Sequence, residues 1–139
     1  RFEELVDDDM AIFKRFIEHY KLSAETPEEQ ARKECLIQES LKGATETPLE
    51  IARTCMSILE IVREIAPIGS KMAISDAGVA AYLAEASLKA ALLNVDINVP
   101  QIKDPQFVER AKAEKEGLIE QAERISRESL AVVISRLSS

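Results

Sequence analysis

At 139 residues with 46% hydrophobic and 31% charged side chains, the chain is sized for one domain burying about two thirds of its unfolded surface. Four glycines and five prolines leave little material for turns and disfavour sheets, collagen-like repeats and disorder. A net charge of −7 repels phosphate backbones and anionic lipid, so neither nucleic acid nor a membrane surface is expected as a partner. Cys35 and Cys55 belong to no CxxC pair and are expected as buried thiols of a reducing compartment. No apolar run is long enough to span a bilayer and no basic-then-apolar leader opens the chain, so a soluble, cytoplasmic protein is expected. The helical pattern is already under way at Arg1, which predicts a domain over 1–139 whose N-terminal part lies outside this sequence.

In chain order, Phe2, Leu5, Val6, Phe13, Phe16, Ile17 and Tyr20 recur at three- and four-residue steps and predict an amphipathic helix to about Tyr20. Thr26-Pro27-Glu28-Glu29 holds a cap hydroxyl, a proline at the first helical position and a glutamate three residues past the cap, and predicts a second helix. Gly43 ends or weakens it, and Thr47-Pro48-Leu49-Glu50 repeats the start signal for a third helix to Pro67. Ser75 or Asp76 is placed to cap a fourth helix, which carries eight alanines between Ala73 and Ala91 and so allows close axis approach. Asp104-Pro105 opens a last helix with Phe107, Ala111, Leu118, Ala122, Ile125, Ser129 and Val132 on one face. On its wet side, Glu120 with Arg124 and Glu123 with Arg127 are spaced for ion pairs. The expected fold is an all-α bundle of about five helices.

Few residues point to chemistry. Asp9 falls on the apolar stripe 2, 6, 13, 16, 20; a carboxylate there is either a satisfied structural acid or part of a polar pocket. Ser75-Asp76-Ala77-Gly78 lies at a helix start beside a loop, with Ser75 as cap the plain alternative, and Gly78 suggests close approach of a ligand or another helix. Asn94 and Asn98, the two asparagines of the chain, share a helix face if the helix reaches that far, and paired carboxamides read donors and acceptors of a heterocycle or finish a fraying helix end. His19, the single histidine, reads as a surface residue. No Ser/His/Asp order, phosphate-cradling glycine loop or metal spacing is present.

The stretches Ala44-Thr45-Glu46-Thr47-Pro48-Leu49-Glu50, Ile74-Ser75-Asp76-Ala77-Gly78-Val79-Ala80 and Ala90-Ala91-Leu92-Leu93-Asn94-Val95-Asp96-Ile97-Asn98, in this order and spacing, resemble the formimidoyltetrahydrofolate cyclodeaminase and methenyltetrahydrofolate cyclohydrolase family. Asp9 with Phe13, and Arg32 in Ala31-Arg32-Lys33, resemble its weaker motifs. The resemblance implies a helical, dimeric protein with no prosthetic group, acting on a tetrahydrofolate derivative as substrate. It closes 5-formimidoyltetrahydrofolate to the 5,10-methenyl form with loss of ammonia, or hydrolyses the methenyl form to 10-formyltetrahydrofolate. Ser70 and Met72 stand where the family often has asparagines, so the choice between the two reactions stays open. Both pass through a cationic carbon bridging two nitrogens, for which Asp76 and Asp9 are the candidate acids. Ser75, Asn94 and Asn98 are the candidate substrate contacts, and Lys71 and Arg32 supply positive charge for a glutamate or polyglutamate tail. The rival readings are a non-catalytic helical scaffold whose alanine-rich helix is a homodimer seam, and a relative that binds folate without turnover.

Overall fold

In the computed structural model, which describes residues 2–138 with the side chain of Phe2 left aside, four α-helices and one 3-10 turn follow one another: α1 (Phe2–Lys21), α2 (Pro27–Ile65), α3 (Ile74–Asn98), the turn Val99–Gln101, and α4 (Pro105–Leu137). The predicted all-α architecture holds with one helix fewer. At about 1.5 Å per residue the 39-residue α2 is close to 58 Å long and forms the spine of the bundle. Lys42 to Asp104, Arg53 to Glu114 and Arg136 to the Ala66 carbonyl connect α2 and α4 at rising positions in both, so those two run parallel. The α3 helix runs against them, since Asn98 meets Ala44 and Lys89 meets Glu123.

The caps at Thr26 and Asp104 form as predicted. Thr26 accepts from the Glu29 amide while the Glu29 carboxylate accepts from the Thr26 amide, and Asp104 accepts from the amides of Gln106 and Phe107. The break expected between Gly43 and Pro48 does not occur: α2 passes through Pro48 without interruption. Proline has no N–H for the carbonyl four residues back, and inside a helix that would leave the Ala44 oxygen without its usual donor. Asn98 fills the vacancy from another helix, its Nδ2 donating to Ala44 O at 2.9 Å. Thr45 and Thr47 donate their hydroxyls to Leu41 O and Gly43 O around the same turn.

The core joins Leu49, Leu59 and Val62 of α2 to Ile74, Ala81, Leu88, Leu92 and Val95 of α3 and to Ala111, Ala122, Ile125 and Val133 of α4. Small residues bring α3 and α4 close together. A methyl group built on Gly78 would lie 3.1 Å from Val133 Cγ1, so the close approach foreseen at this glycine is that of another helix. The α1 helix rests chiefly on α2 through Leu5, Ile12, Phe16 and His19. Its periodicity was legible but its inner face is a different one: Val6, Phe13 and Tyr20 of the predicted stripe are exposed, and so is Asp9. The burial expected for both cysteines applies to Cys55 alone, as Cys35 is exposed. Among the described residues the expected pairs on α4 are replaced by Lys89 with Glu123 and Arg124 with Glu128.

Candidate functional site

The loop 66–73 carries α2 into α3 and holds the first group of candidate residues. It folds tightly because the Gly69 amide donates to Ile65 O at 2.7 Å, an approach at which an added Cβ would sit only 3.0 Å from that oxygen. Arg136, near the end of α4, then donates to the carbonyls of Ala66 at 2.6 Å and Gly69 at 2.5 Å. One guanidinium thereby satisfies a carbonyl at the helix end and a second in the turn beyond it. Lys71, Ser75 and Asp76 are exposed beside this clamp. Neither Ser75 nor Asp76 is the predicted cap: Ala73 holds that position, with no side-chain hydrogen bond. Asp76 stands in the first turn of α3, where its negative charge meets the positive end of the helix dipole.

Asn94 and Asn98 stand at the opposite end of the same helix. The helix does extend to Asn98, so the two share a face as predicted. Asn94 is exposed and Asn98 half-buried. Asn98 lines a cavity of about 140 Å³ with Phe13 and Phe16 of α1, Leu41 and Ala44 of α2, and Gln101. Asp9 lies one turn before Phe13 on the outer side of α1. The eighteen residues from Asp76 to Asn94 span about 27 Å of helix. One protomer therefore holds Lys71, Ser75 and Asp76 as one group and Asn94, Asn98 and Phe13 as another. Arg32 belongs to neither, lining a separate cleft with Leu22, Ser23, Glu29, Lys33 and Leu36 at the α1–α2 turn.

Several features go beyond the reading of the sequence. His19 is not an unpartnered surface group: its Nδ1 lies 2.8 Å from Ser40 Oγ. Ser40 donates its own proton to Leu36 O, which makes His19 Nδ1 the donor. Between α2 and α4, Arg53 donates to Glu114 at 2.6 Å and to Glu46 at 2.8 Å, and Arg110 donates to Glu46 at 2.8 Å and to Glu114 at 3.4 Å, closing a ring of four charges. Burial pushes the Glu46 carboxyl up, but the guanidiniums of Arg110 and Arg53 outweigh it and hold the group below its ordinary range. Hydrogen bonding to Glu114, and secondarily to Glu46, raises Arg53 in turn. Burial acts on Glu85 in the same sense and is outweighed, with the Lys89 ammonium 2.9 Å from its carboxylate among the groups that hold it below its ordinary range. The four-residue spacing of Arg110 and Glu114 was the one local hint of the ring.

The outer face of α3 is apolar along its whole length. Val79 (55% exposed), Leu83 (63%), Leu93 (68%) and Ile97 (67%), with exposed Ala86 and Ala90 between them, form one stripe at alternating three- and four-residue steps. Asp76 and Asn94, five helical turns apart, flank the stripe on the same edge. Among the described residues no group of three His, Cys, Asp or Glu is disposed to hold a metal, and no helix is long and apolar enough to cross a membrane.

Comparison with known proteins places this architecture. The family model for formiminotransferase-cyclodeaminase matches residues 1–117. A methenyltetrahydrofolate cyclohydrolase of Methylorubrum extorquens is 35% identical over 134 residues, which is 96% of this chain and 64% of that protein. The formimidoyltransferase-cyclodeaminase of Mus musculus is 35% identical over 118 residues, 85% of this chain and 22% of the mouse protein. The crystal structure of formiminotetrahydrofolate cyclodeaminase from Thermotoga maritima superposes with a TM-score of 0.83 at 25% identity, covering 95% of this chain and 62% of that one. The chain thus spans less than two thirds of these relatives. Matched by the family model over most of its length, it belongs to the formiminotransferase-cyclodeaminase family.

Proposed function

We propose that this domain acts on folate-bound one-carbon units, either closing 5-formimidoyltetrahydrofolate to 5,10-methenyltetrahydrofolate with release of ammonia or hydrolysing the methenyl form to 10-formyltetrahydrofolate. The observation that carries the reading is similarity over 96% of the chain to a protein named for the second reaction, together with the fold match to one named for the first. In the hydrolysis, water adds to the cationic bridging carbon, a base takes a water proton, and the bond to N5 breaks as N5 is protonated. In the closure, N10 attacks the amidine carbon, gives up its proton, and the amidine nitrogen leaves as ammonia. Either sequence needs one carboxylate that accepts a proton and returns it, and that balances positive charge on the carbon.

Asp76 is our assignment for that group, with Asp9 the alternative. Ser75 and Lys71 stand near enough to Asp76 to bind the substrate there, while Arg32 lies in a cleft of its own and suits a distant stretch of a polyglutamate tail. Asn94 and Asn98 serve the ring. The 27 Å between the Asp76 and Asn94 groups is bridged by a second copy. Two α3 stripes packed antiparallel about a two-fold axis near Ala86 bring Asp76 of one protomer to the level and edge of Asn94 of the partner subunit. This homodimer covers the exposed Leu83, Leu93 and Ile97, and its shared cleft holds both groups of candidate residues.

The test is consumption of the 5,10-methenyl chromophore by the chain, with ammonia release from the formimidoyl substrate measured in parallel. Turnover of either substrate supports the proposal. Binding without turnover points to a relative that has lost catalysis, and neither binding nor turnover points to a scaffold.

A further inference from the structure

Helix α3 begins without a side-chain cap. Ala73 stands at its N-cap position and makes no side-chain hydrogen bond, whereas Thr26 and Asp104 cap α2 and α4. An uncapped start leaves the direction of the incoming chain to other contacts. Here two of them come from the last turns of α4. Arg136 donates to Ala66 O at 2.6 Å and to Gly69 O at 2.5 Å, on the loop that leads into α3. Val133, one turn earlier, packs so closely on Gly78 that an added Cβ would lie 3.1 Å from its Cγ1. Asp76 falls between these two holds.

The grip of Arg136 is relayed to the first turn of α3 by hydrogen bonds. The Gly69 carbonyl belongs to the planar peptide that leads into Ser70, so fixing that oxygen fixes the plane from which Ser70 departs. Ser70 accepts from the Met72 amide through Oγ at 3.2 Å and from the Ala73 amide through its carbonyl at 3.1 Å. The Ala73 carbonyl then accepts from the amides of Asp76 at 3.1 Å and Ala77 at 3.3 Å. Lys71 and Ser75 lie within this series. A guanidinium suits its head, because a rigid fork holds two carbonyls in a fixed relation and a single ammonium on a flexible stem does not.

We propose that Arg136 is a positioning residue for the Asp76 group, acting through the loop 66–73 to set where Lys71, Ser75 and Asp76 stand. The proposal rests on the folate reading for the reaction it serves; the clamp follows from the hydrogen bonds alone. Misplacing a reacting group by about 1 Å costs on the order of a hundredfold in rate. Loosening the loop should therefore show in turnover while the bundle stays folded.

The experiment compares the 139-residue chain with Arg136→Lys, which keeps the charge and loses the fork, and with Arg136→Ala. All are assayed at a temperature where circular dichroism shows them fully folded. For Arg136→Lys, kcat on methenyltetrahydrofolate or the formimidoyl substrate is expected to fall by about tenfold or more. Hydrogen exchange at the amides of Gly69, Ala73, Asp76 and Ala77 should quicken relative to those around Leu59 and Leu88. Added guanidinium ion should restore part of the rate lost in Arg136→Ala, and sodium chloride at the same concentration should not. A purely structural role predicts a lower Tm with wild-type kcat in the folded variants and no rescue. Wild-type kcat in folded Arg136→Lys overturns the proposal, as does unchanged exchange at the loop amides or absence of rescue in folded Arg136→Ala. Should Arg136→Ala fail to fold, Arg136→Lys decides alone; failure of both to fold marks a structural residue and also overturns it. A wild-type chain that turns over neither substrate sinks the folate reading and the positioning role with it. An active wild type with an equally active Arg136→Lys sinks the positioning role and leaves the folate reading standing.

Discussion

Replacing Asn98 by alanine removes the donor that serves the Ala44 carbonyl 54 positions away in sequence. Because Pro48 offers that oxygen no N–H, the variant leaves a half-buried acceptor without a protein partner. A buried unsatisfied backbone group costs about 1–3 kcal/mol, and partial access to water puts this one near the lower end, about 1–1.5 kcal/mol. For a domain of this size that corresponds to a fall in Tm of roughly 3–6 °C. Alanine also has a better helix propensity than the asparagine it replaces, which works against the loss, so the single variant is an incomplete measure. The decisive quantity is a double-mutant cycle with Pro48→Ala, followed by urea unfolding of all four proteins. In the Pro48→Ala background the new backbone amide supplies the carbonyl, the propensity gain cancels, and the cost of Asn98→Ala should shrink by about 1 kcal/mol, the net worth of one such bond. Additivity within roughly 0.3 kcal/mol, the scatter of independent sites, would refute the claim that Asn98 substitutes for the missing proline N–H.

Asp76→Asn, at an exposed first-turn position with no capping bond, should cost less than about 1 kcal/mol of stability while lowering methenyltetrahydrofolate turnover by roughly two decades; near-normal turnover moves the assignment to Asp9. Leu83→Glu should leave the protomer folded, the side chain being mostly exposed, yet halve the mass seen by light scattering and abolish turnover; a wild-type monomer would remove the shared cleft. Arg136→Met deprives the Ala66 and Gly69 carbonyls of a charged donor and should destabilise the domain by roughly 2 kcal/mol, read as a lower Tm. The lowered pKa of Glu46 means that its stabilising contribution is complete above the ordinary glutamate range, about pH 4–5, and is lost as pH falls through the depressed native value. Glu46→Gln should therefore flatten the acid side of the stability curve, and an unchanged slope there would contradict the pairing.

Local chemistry was readable where it acts locally. Thr26-Pro27 and Asp104-Pro105 announce helix starts because cap and helix lie within four residues, and both starts are where the sequence puts them. Thr47-Pro48 bears the same signal and marks no start, since what carries the helix through it is an asparagine from another helix. Asp9 was misplaced for a related reason. The α1 helix has two apolar arcs, one through Leu5, Ile12 and Phe16 and one through Val6, Phe13 and Tyr20, and periodicity cannot say which of them meets α2. The motif residues of α3 were legible as residues, but their 27 Å separation along one straight helix is a fact of geometry. The two-fold pairing proposed to reunite them has no trace in the sequence beyond the apolar stripe.

The one-sided attachment of α1 has a consequence for how the molecule opens. Its outer face, with Val6, Met10 and Tyr20, is uncovered within the protomer, so lifting it away from α2 breaks fewer contacts than separating α2, α3 and α4. Amides of α1 should then exchange with solvent through a partial opening well below the free energy of global unfolding, while those around Leu59, Leu88 and Ile125 wait for the whole domain to unfold. Phe13 and Phe16 form one wall of the small cavity, so a ring seated there would bridge the least and the most protected parts of the chain. Occupancy would slow exchange throughout α1, and the loss of that helix's motion would be charged against affinity.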